Sequence, residues 1–190
     1  MATAARQEGS TPVEKDWIDA ARQMLIEGGV AAVQINPLAA RLGVTRGGFY
    51  WRFRNRQHLL DDLLDDWEAC NTRQFLETVG TPGTPAERYD RLVRLWLDER
   101  DFDPALDSAV RQWGSIDTAV RDRVRAADLA RIDALADIFR QAGQPEMEAL
   151  VRARVVYFHQ VGYYALGLEE SRAERQDLVA TYTRILSGFP

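Results

Sequence analysis

Apolar residues recur at the spacing of an α-helix along almost the whole 190-residue chain, and this periodicity limits its possible folds most strongly. In the first helix the apolar face is formed by Val13, Trp17, Ala21, Met24 and Leu25. No segment alternates apolar and polar residues convincingly with the period of two that a β-strand requires. The pattern therefore predicts an all-α fold of about nine helices.

Glycine and proline mark where these helices begin and end. Gly28 and Gly29 predict the end of the first helix, because glycine accepts the left-handed conformation that often follows a helix. Pro37 fits only the first turn of a second helix, and Gly43 ends it. A very short third helix is predicted from an N-cap at Thr45 to about residue 53. A long fourth helix follows from about residue 56, and the chain closes with two apolar helices at about 145–168 and 172–188.

The window from Gly28 to Leu60 contains no Asp or Glu. Its five arginines are Arg41, Arg46, Arg52, Arg54 and Arg56. The whole chain carries a net charge of −5, yet residues 1–58, with eight Lys/Arg and five Asp/Glu, carry +3. A basic end on an acidic chain indicates contact with a polyanion at that end.

The second and third helices, joined by a tight glycine turn, predict a helix-turn-helix, in which the second of the two helices lies in the major groove of DNA. Thr45 can offer its hydroxyl to a phosphate at the start of that helix, and Arg46 can reach a phosphate or a guanine edge. Gly47 and Gly48 each cost roughly 1 kcal/mol relative to alanine in a helix. Close approach of the backbone to DNA or to the second helix is the physical reason we consider for this pair.

Aromatic residues divide the third helix into two faces. Phe49 and Phe53 share one face and are predicted to anchor the helix to the core. Tyr50, Trp51 and Arg52 are expected to point outward together. Beyond the helix, the backbone phosphates are expected to meet Arg54, Asn55 and Arg56. Gln34, at the start of the second helix, completes the candidate DNA-binding set. The alternative to a DNA-binding helix-turn-helix is an amphipathic helical hairpin that carries a few surface arginines.

The segment from Trp17 to Leu64 resembles the N-terminal DNA-binding domain of the tetracycline-repressor (TetR) family of transcriptional regulators. The resemblance rests on Gly29, on the run 38–44 (Leu-Ala-Ala-Arg-Leu-Gly-Val), on the run 45–53 (Thr-Arg-Gly-Gly-Phe-Tyr-Trp-Arg-Phe), and on Arg56, Leu59 and Leu60. It covers about a quarter of the chain. Departures are Gly48, where Thr or Ser is common, Arg56, where lysine is common, and the Gln34, Asn36 and Pro37 start of the second helix.

The resemblance implies an all-helical homodimer with a divergent C-terminal domain for effector binding and dimerisation. Thr45, Arg46, Tyr50 and Arg56 match positions that contact phosphates in the family. Gly48, Trp51 and Arg52 match positions that help to select the DNA sequence. By this resemblance the protein is expected to be a cytoplasmic repressor that leaves a palindromic DNA operator when a small-molecule effector binds. The last two helices are expected to form the dimer interface.

The proposed division is a loose arm at 1–12, a helix-turn-helix domain at 13–58 and an effector and dimerisation domain at 59–190. Aromatic and polar residues of the third part are candidates for an effector pocket, because an apolar wall with a few polar groups is typical of small-molecule sites. These candidates are Trp67, Asn71, Phe75, Trp96, Phe102, Trp113, Tyr157, His159 and Tyr163. Packing in an ordinary core is the alternative for most of them, since aromatic residues at helical spacing usually pack.

Other function classes find no support in the sequence. One cysteine, Cys70, permits no intrachain disulfide, which is compatible with a reducing cytoplasm. With only two distant histidines, His58 and His159, a zinc cluster is not expected. The chain has no phosphate-binding loop and no nucleophile with an adjacent base, so neither an enzyme nor a cofactor is predicted. No signal peptide or membrane span is expected either. A helical dimeric binding protein whose head reads DNA weakly or without sequence preference remains the alternative function.

Overall fold

The computed structural model describes residues 12–168 and 170–189, and all regular structure in those ranges is helical. The helices are α1 (Glu14–Ala32), α2 (Ile35–Arg41), α3 (Arg46–Tyr50), α4 (Arg56–Trp67), α5 (Gln74–Gly80), α6 (Pro85–Asp98), α7 (Pro104–Gly114), α8 (Thr118–Gln141), α9 (Glu146–Leu166) and α10 (Arg172–Ser187). A π-helical segment, Glu68–Arg73, joins α4 to α5. Counting that continuous stretch as one helix gives nine among the described residues, and the predicted all-α fold class is confirmed.

The chain forms two compact units, one up to Leu63 and one from Leu64 onward. Along the chain, the boundary between the two units falls inside α4. The division proposed from the sequence lies near the start of that helix, between residues 58 and 59. Of the arm proposed at 1–12, only Pro12 belongs to the described residues.

The first unit is built around a small aromatic core on α1 and α3. Trp17 and Phe49 are fully buried, and their rings meet edge to face with centroids 5.6 Å apart. Gly29 has a φ of 69°, so α1 loses helical geometry there, close to the predicted end of the helix. The third helix ends at Tyr50, earlier than predicted. A turn follows it, and Phe53 still reaches the core because its N–H bonds to the Phe49 carbonyl at 3.0 Å.

Helices of the second unit begin at side-chain caps that the sequence encodes. Thr84 and Ser171 each form a reciprocal capping box with the glutamate three residues later. Asp103 and Asp117 accept hydrogen bonds from the first turns of α7 and α8. These caps fix where α6, α7, α8 and α10 start. Leu92 of α6 and Leu135 and Phe139 of α8 then lie in one buried core, against which Leu186 of α10 packs.

A buried network of charges crosses the second unit. Arg131, only 1% exposed, donates to Asp107 at 3.1 Å and to the Thr72 hydroxyl at 2.7 Å. Asp107 also accepts from the Trp67 indole at 2.9 Å and from Arg111 at 2.7 Å. The network therefore links Trp67 at the end of α4 and Thr72 of the π-helical segment to α7 and α8.

Candidate nucleic-acid interface and effector cleft

The turn between α2 and α3 sets the direction of the short third helix. Gly43 has a φ of 67°, which glycine adopts without strain, and the Val44 N–H bonds back to the Ala39 carbonyl at 2.9 Å. Thr45 lies at the N-cap of α3 as predicted by position, yet its side chain makes no capping hydrogen bond. Its hydroxyl therefore retains its capacity to bond an external phosphate.

Arg46 and Tyr50 form a pair on the exposed side of α3. The Arg46 guanidinium donates to the Tyr50 hydroxyl at 2.9 Å and lies 5.5 Å from the centre of its ring. Both side chains are exposed, so the pair presents a cation and a phenol oxygen together. This arrangement suits contact with one phosphate group, because a charge-assisted hydrogen bond can form without reordering either side chain.

The outward direction predicted for Tyr50, Trp51 and Arg52 is confirmed, although only Tyr50 lies in α3 and the other two lie in the turn that follows it. Trp51 is 87% exposed and Tyr50 47% exposed, and Arg52 is exposed beside them. Phe49 and Phe53 on the other face are buried. A large indole exposed beside arginines has no packing function within the described part of the first unit.

The two glycines of α3 are not required by packing inside the unit. A Cβ atom built on Gly48 would lie 3.7 Å from the Val44 side chain and 3.8 Å from the Trp17 ring, which is ordinary contact. A Cβ atom on Gly47 would lie 3.5 Å from the Thr45 hydroxyl oxygen. Two explanations for the glycine pair were considered from the sequence. Close packing against the second helix does not explain the pair, so the close approach of DNA is the explanation that is left.

The candidate DNA-binding residues that flank α3 differ in the hydrogen bonds that they make within the protein. Arg56 donates to the carbonyls of Val33 at 2.6 Å and Val30 at 2.5 Å, so its guanidinium already ties the C-terminal end of α1 to the start of α4. Asn55 caps α4 by accepting from the His58 N–H at 2.9 Å. We therefore assign Arg56 and Asn55 a structural function beside the phosphate contact expected from the sequence.

Arg54 and Gln34 are both exposed. The Arg54 backbone N–H donates to the His58 ring at 3.3 Å, and no described contact holds its guanidinium. The Gln34 side chain donates to the Ala31 carbonyl at 3.0 Å, and it does not cap α2 although it lies at the N-cap.

Three of the nine effector-pocket candidates, Trp96, His159 and Tyr163, line one cleft of the second unit. The cleft lies between α6, α9 and α10, opens to solvent and has a cavity volume of about 80 Å³. The sequence did not single out the other side chains in its walls, such as Val93 and Gln160. They come from three helices far apart in the chain, so no local pattern could join them.

The other six candidates do not line this cleft, and the ordinary-core alternative describes their positions. All six are buried: Trp67, Asn71, Phe75, Phe102, Trp113 and Tyr157. Polar atoms of three of them bond inside the fold rather than toward a ligand. Trp67 donates to Asp107, Asn71 donates to the Asp103 carbonyl at 2.7 Å, and Tyr157 donates to Asp128 at 2.7 Å.

The charged network changes the proton affinity of its members. Burial by itself would raise the pKa of Asp107, but the neighbouring charges of Arg131 and Arg111 and the hydrogen bonds it accepts hold that pKa below its usual range. Burial raises the pKa of Tyr157 to about 12. Both groups therefore keep one protonation state at neutral pH, and the network acts as a fixed set of ion pairs.

Two further kinds of site are absent from the described ranges. No group of three His, Cys, Asp or Glu residues in residues 12–168 and 170–189 is arranged to hold a metal ion. Within the same ranges no helix has the length and apolar character needed to cross a bilayer.

Comparisons with known proteins agree with this geometry. The sequence profile of a family described as bacterial regulatory proteins, tetR family, matches residues 18–63. TtgR, an HTH-type transcriptional regulator of Pseudomonas putida, is 42% identical over 87 residues, which are 46% of this chain and 33% of that protein. ArpR of P. putida, named as a probable HTH-type transcriptional regulator, is 31% identical over 87 residues with the same coverage. The matched part thus spans about a third of each curated relative.

Solved structures resemble the chain over most of its length. The reduced form of NemR from E. coli superposes with a TM-score of 0.71 at 15% identity, covering 90% of this chain and 96% of that one. A TetR-like transcriptional regulator from Rhodococcus sp. RHA1 gives a TM-score of 0.70 at 17% identity, with 93% and 96% covered. At these identities the likeness concerns the fold alone, and it extends through the second unit.

Proposed function

We propose that this chain belongs to the TetR family of bacterial regulatory proteins and is a sequence-specific DNA-binding transcriptional regulator that represses its targets. The exposed face of α3 is the observation that carries the proposal. Together with the turn after it, this helix presents Arg46, Tyr50, Trp51 and Arg52 outward, and its opposite face packs into an aromatic core. Exposed cations and aromatic groups on a rigid helix suit phosphate contact together with readout of base edges.

Homodimerisation is the second part of the proposal. Along α9 an exposed apolar stripe with helical spacing comprises Met147, Val151, Val155 and Phe158, and α10 adds Leu178, Tyr182 and Ile185. A monomer in water rarely exposes so continuous an apolar surface, and a second copy would cover it. A two-fold axis would also present two α3 helices to the half-sites of a palindrome.

The third part is release by an effector. A small molecule that binds the second unit more tightly in a DNA-incompetent state would lower operator affinity, and it could not do so by tight binding alone. Such a regulator would act in the cytoplasm, where it meets DNA. We assign it no catalytic activity, in keeping with the description of both curated relatives as transcriptional regulators.

Selection of the purified protein on randomised duplex DNA tests the first part. We expect enrichment of one palindromic sequence, because a dimer with two equivalent heads reads two equivalent half-sites. Enrichment of a single, non-repeated half-site would contradict dimeric readout. A failure to enrich any sequence from protein refolded free of bound small molecules would support the alternative, a helical dimer whose head reads DNA weakly.

Sedimentation equilibrium tests the second part. Val151→Arg places a charge in the middle of the stripe and should convert the dimer to a monomer. Leu129→Arg is the matched control, because Leu129 is a similarly exposed apolar residue on α8, 55% exposed against 50% for Val151. Equal behaviour of the two variants would argue against the α9 stripe as the interface.

A further inference from the structure

An open depression lies in the surface of the first unit beside α3. Its walls come from the segment before α1, from α1 itself, and from the stretch that runs from the glycine turn through α3. The residues that line it are Pro12, Trp17, Val44, Gly48, Trp51 and Arg52. All of them except Arg52 contribute apolar surface. The cavity volume of about 340 Å³ leaves room for a methyl group and for the edge of the base that carries it.

The absence of a side chain at Gly48 keeps this depression open. A Cβ atom at that position would lie 3.7 Å from the Val44 side chain and 3.8 Å from the Trp17 ring, and both residues belong to the walls. Packing inside the unit would tolerate this atom, so packing does not account for the open space. Trp51, on another wall, leaves nearly its whole indole exposed. The depression therefore has the character of a contact surface for a group outside the protein.

Charge indicates that the group belongs to DNA. The window from Gly28 to Leu60 contains no Asp or Glu, and Arg46 and Tyr50 are paired and exposed on the same short helix. Such a surface attracts a polyanion. The base edges in the major groove of DNA present donors, acceptors and one kind of apolar group, the C5-methyl of thymine. An apolar depression beside a helix that enters this groove therefore fits a thymine methyl group.

Arg52 favours thymine over 5-methylcytosine, which carries a methyl group at the same place. Thymine has the acceptor O4 next to its methyl group, whereas cytosine has an amino donor there. Arg52 is exposed and borders the depression, and a guanidinium can only donate hydrogen bonds. The guanidinium therefore suits the O4 of thymine and is opposed by the amino group of 5-methylcytosine.

We propose that the depression holds the methyl group of one thymine in each half-site, packed against Trp51 in the space that Gly48 leaves open. Trp51 is then a specificity-determining residue and not only a source of affinity. The inference rests on the proposed function, because it requires that α3 reads DNA in the major groove.

Uracil in place of thymine removes the methyl group and retains the base pair. The operator selected by the full-length protein is synthesised with uracil at one thymine position at a time, and fluorescence anisotropy measures the affinity. At one position we expect about threefold weaker binding when one half-site is substituted and about tenfold when both are. Trp51→Ala should bind the thymine and uracil operators equally. Tyr50→Phe is the matched control, because it loses a phosphate contact and should weaken both operators alike.

Gly48→Ala provides a test in the opposite direction. Its new methyl group occupies the depression, so this variant should bind the uracil operator at least as tightly as the thymine operator, with folding checked by circular dichroism. At the same position, a pair of 5-methylcytosine with guanine should bind the wild type more weakly than the thymine pair. Equal binding of these two pairs would contradict the assignment to thymine.

The remaining outcomes separate this inference from the proposed function. A selected half-site without an invariant thymine overturns the methyl site, as does equal binding of thymine and uracil operators at every position. Equal binding is also the result expected if residues 1–11 or another molecule cover the depression. A thymine preference that persists in Trp51→Ala overturns the assignment as well. In each of these cases the protein still selects DNA, whereas a protein that selects no sequence loses both the methyl site and the proposed function.

Discussion

The two units of this chain place their polar groups in opposite ways. In the first unit the buried side chains are apolar, and arginines and aromatic residues such as Arg46 and Trp51 are exposed. Each of the buried polar or charged residues found in the described ranges lies in the second unit: Asn71, Arg88, Asp107, Arg131 and Ser187. The first unit thus keeps charges such as that of Arg46 at its surface, and the second unit also buries charges that hold its own helices together.

The stability of the two units should depend on their polar residues to different extents. A buried ion pair costs desolvation, and once formed it makes each partner necessary to the other. An exposed arginine contributes little to folding and is free to serve binding. Substituting a buried polar residue of the second unit should therefore lower the free energy of unfolding. Substituting an exposed polar residue of the first unit should instead lower the affinity for DNA.

The largest effect is expected from Asp107→Asn. The change removes the carboxylate that faces Arg131 and Arg111. Arg111 keeps its pair with Asp128, but the buried charge of Arg131 loses its carboxylate partner, which typically costs about 3–5 kcal/mol. Urea unfolding followed by circular dichroism measures it. Asp133→Asn is the control, because Asp133 pairs with Arg140 at the surface with 76% of its side chain exposed, and its loss should cost under about 1 kcal/mol. Equal costs would mean that the buried network does not hold the unit together.

Trp51→Ala is expected to act on DNA binding alone. The indole is 87% exposed, so the free energy of unfolding should change by less than about 0.5 kcal/mol. Affinity for the selected operator should fall about tenfold, equivalent to roughly 1.4 kcal/mol. Fluorescence anisotropy with labelled DNA measures it, with Ile116→Ala, 78% exposed in the second unit, as the matched control. An unchanged affinity in Trp51→Ala would remove this side chain from the interface.

Two glycines of the first unit should respond with opposite signs. Gly48→Ala meets no clash within the unit and should raise the free energy of unfolding by about 1 kcal/mol, while weakening DNA binding. Gly43→Ala must adopt a φ near 67° and should lower that free energy by about 1 kcal/mol or slightly more. Thermal unfolding and DNA titration of both variants measure these effects. A destabilised Gly48→Ala variant would show that packing inside the unit requires the glycine.

The smallest expected effect is a pH dependence at His159. Burial lowers its pKa from 6.5, so the folded state disfavours the imidazolium and the unfolded chain binds the proton more readily. The contribution of His159 is therefore greatest above about pH 6.5 and is lost as the pH falls through that range. Urea unfolding between pH 5 and 8 should show a shallower slope for His159→Gln than for the wild type. Identical slopes would mean that the imidazole is as well solvated as in the unfolded chain.

Much of the first unit could be predicted from the sequence because its determinants are close together in the chain. Gly43, Phe49 and Phe53 lie within eleven positions, and their spacing alone separates the buried face of α3 from the exposed one. The function of Arg56 was harder to foresee. Its guanidinium bonds carbonyls 23 and 26 residues earlier, and spacing does not report which backbone a long side chain will reach.

The side-chain contacts of the second unit were less predictable for the same reason. Trp67 and Asp107 are 40 residues apart and Arg131 and Thr72 are 59 apart, so no local pattern indicates that they pair. The sequence placed Trp67 among pocket candidates because an aromatic residue on an inner helix face suits a pocket wall and a core equally well. Helix ends, by contrast, depend on local caps and glycines. Gly29 marks the loss of helical geometry in α1 as predicted, whereas α3 ends at Tyr50, earlier than predicted.

A salt titration of operator binding tests most directly whether the exposed face of α3 contacts DNA. Binding to the selected operator should weaken linearly with the logarithm of salt concentration, with a slope set by the number of phosphate contacts. Arg46→Ala should reduce that slope by about 1 for each head, whereas Arg125→Ala, an exposed arginine on α8, should leave it unchanged. Equal slopes for the wild type and Arg46→Ala, or an equal loss in Arg125→Ala, would contradict the assignment.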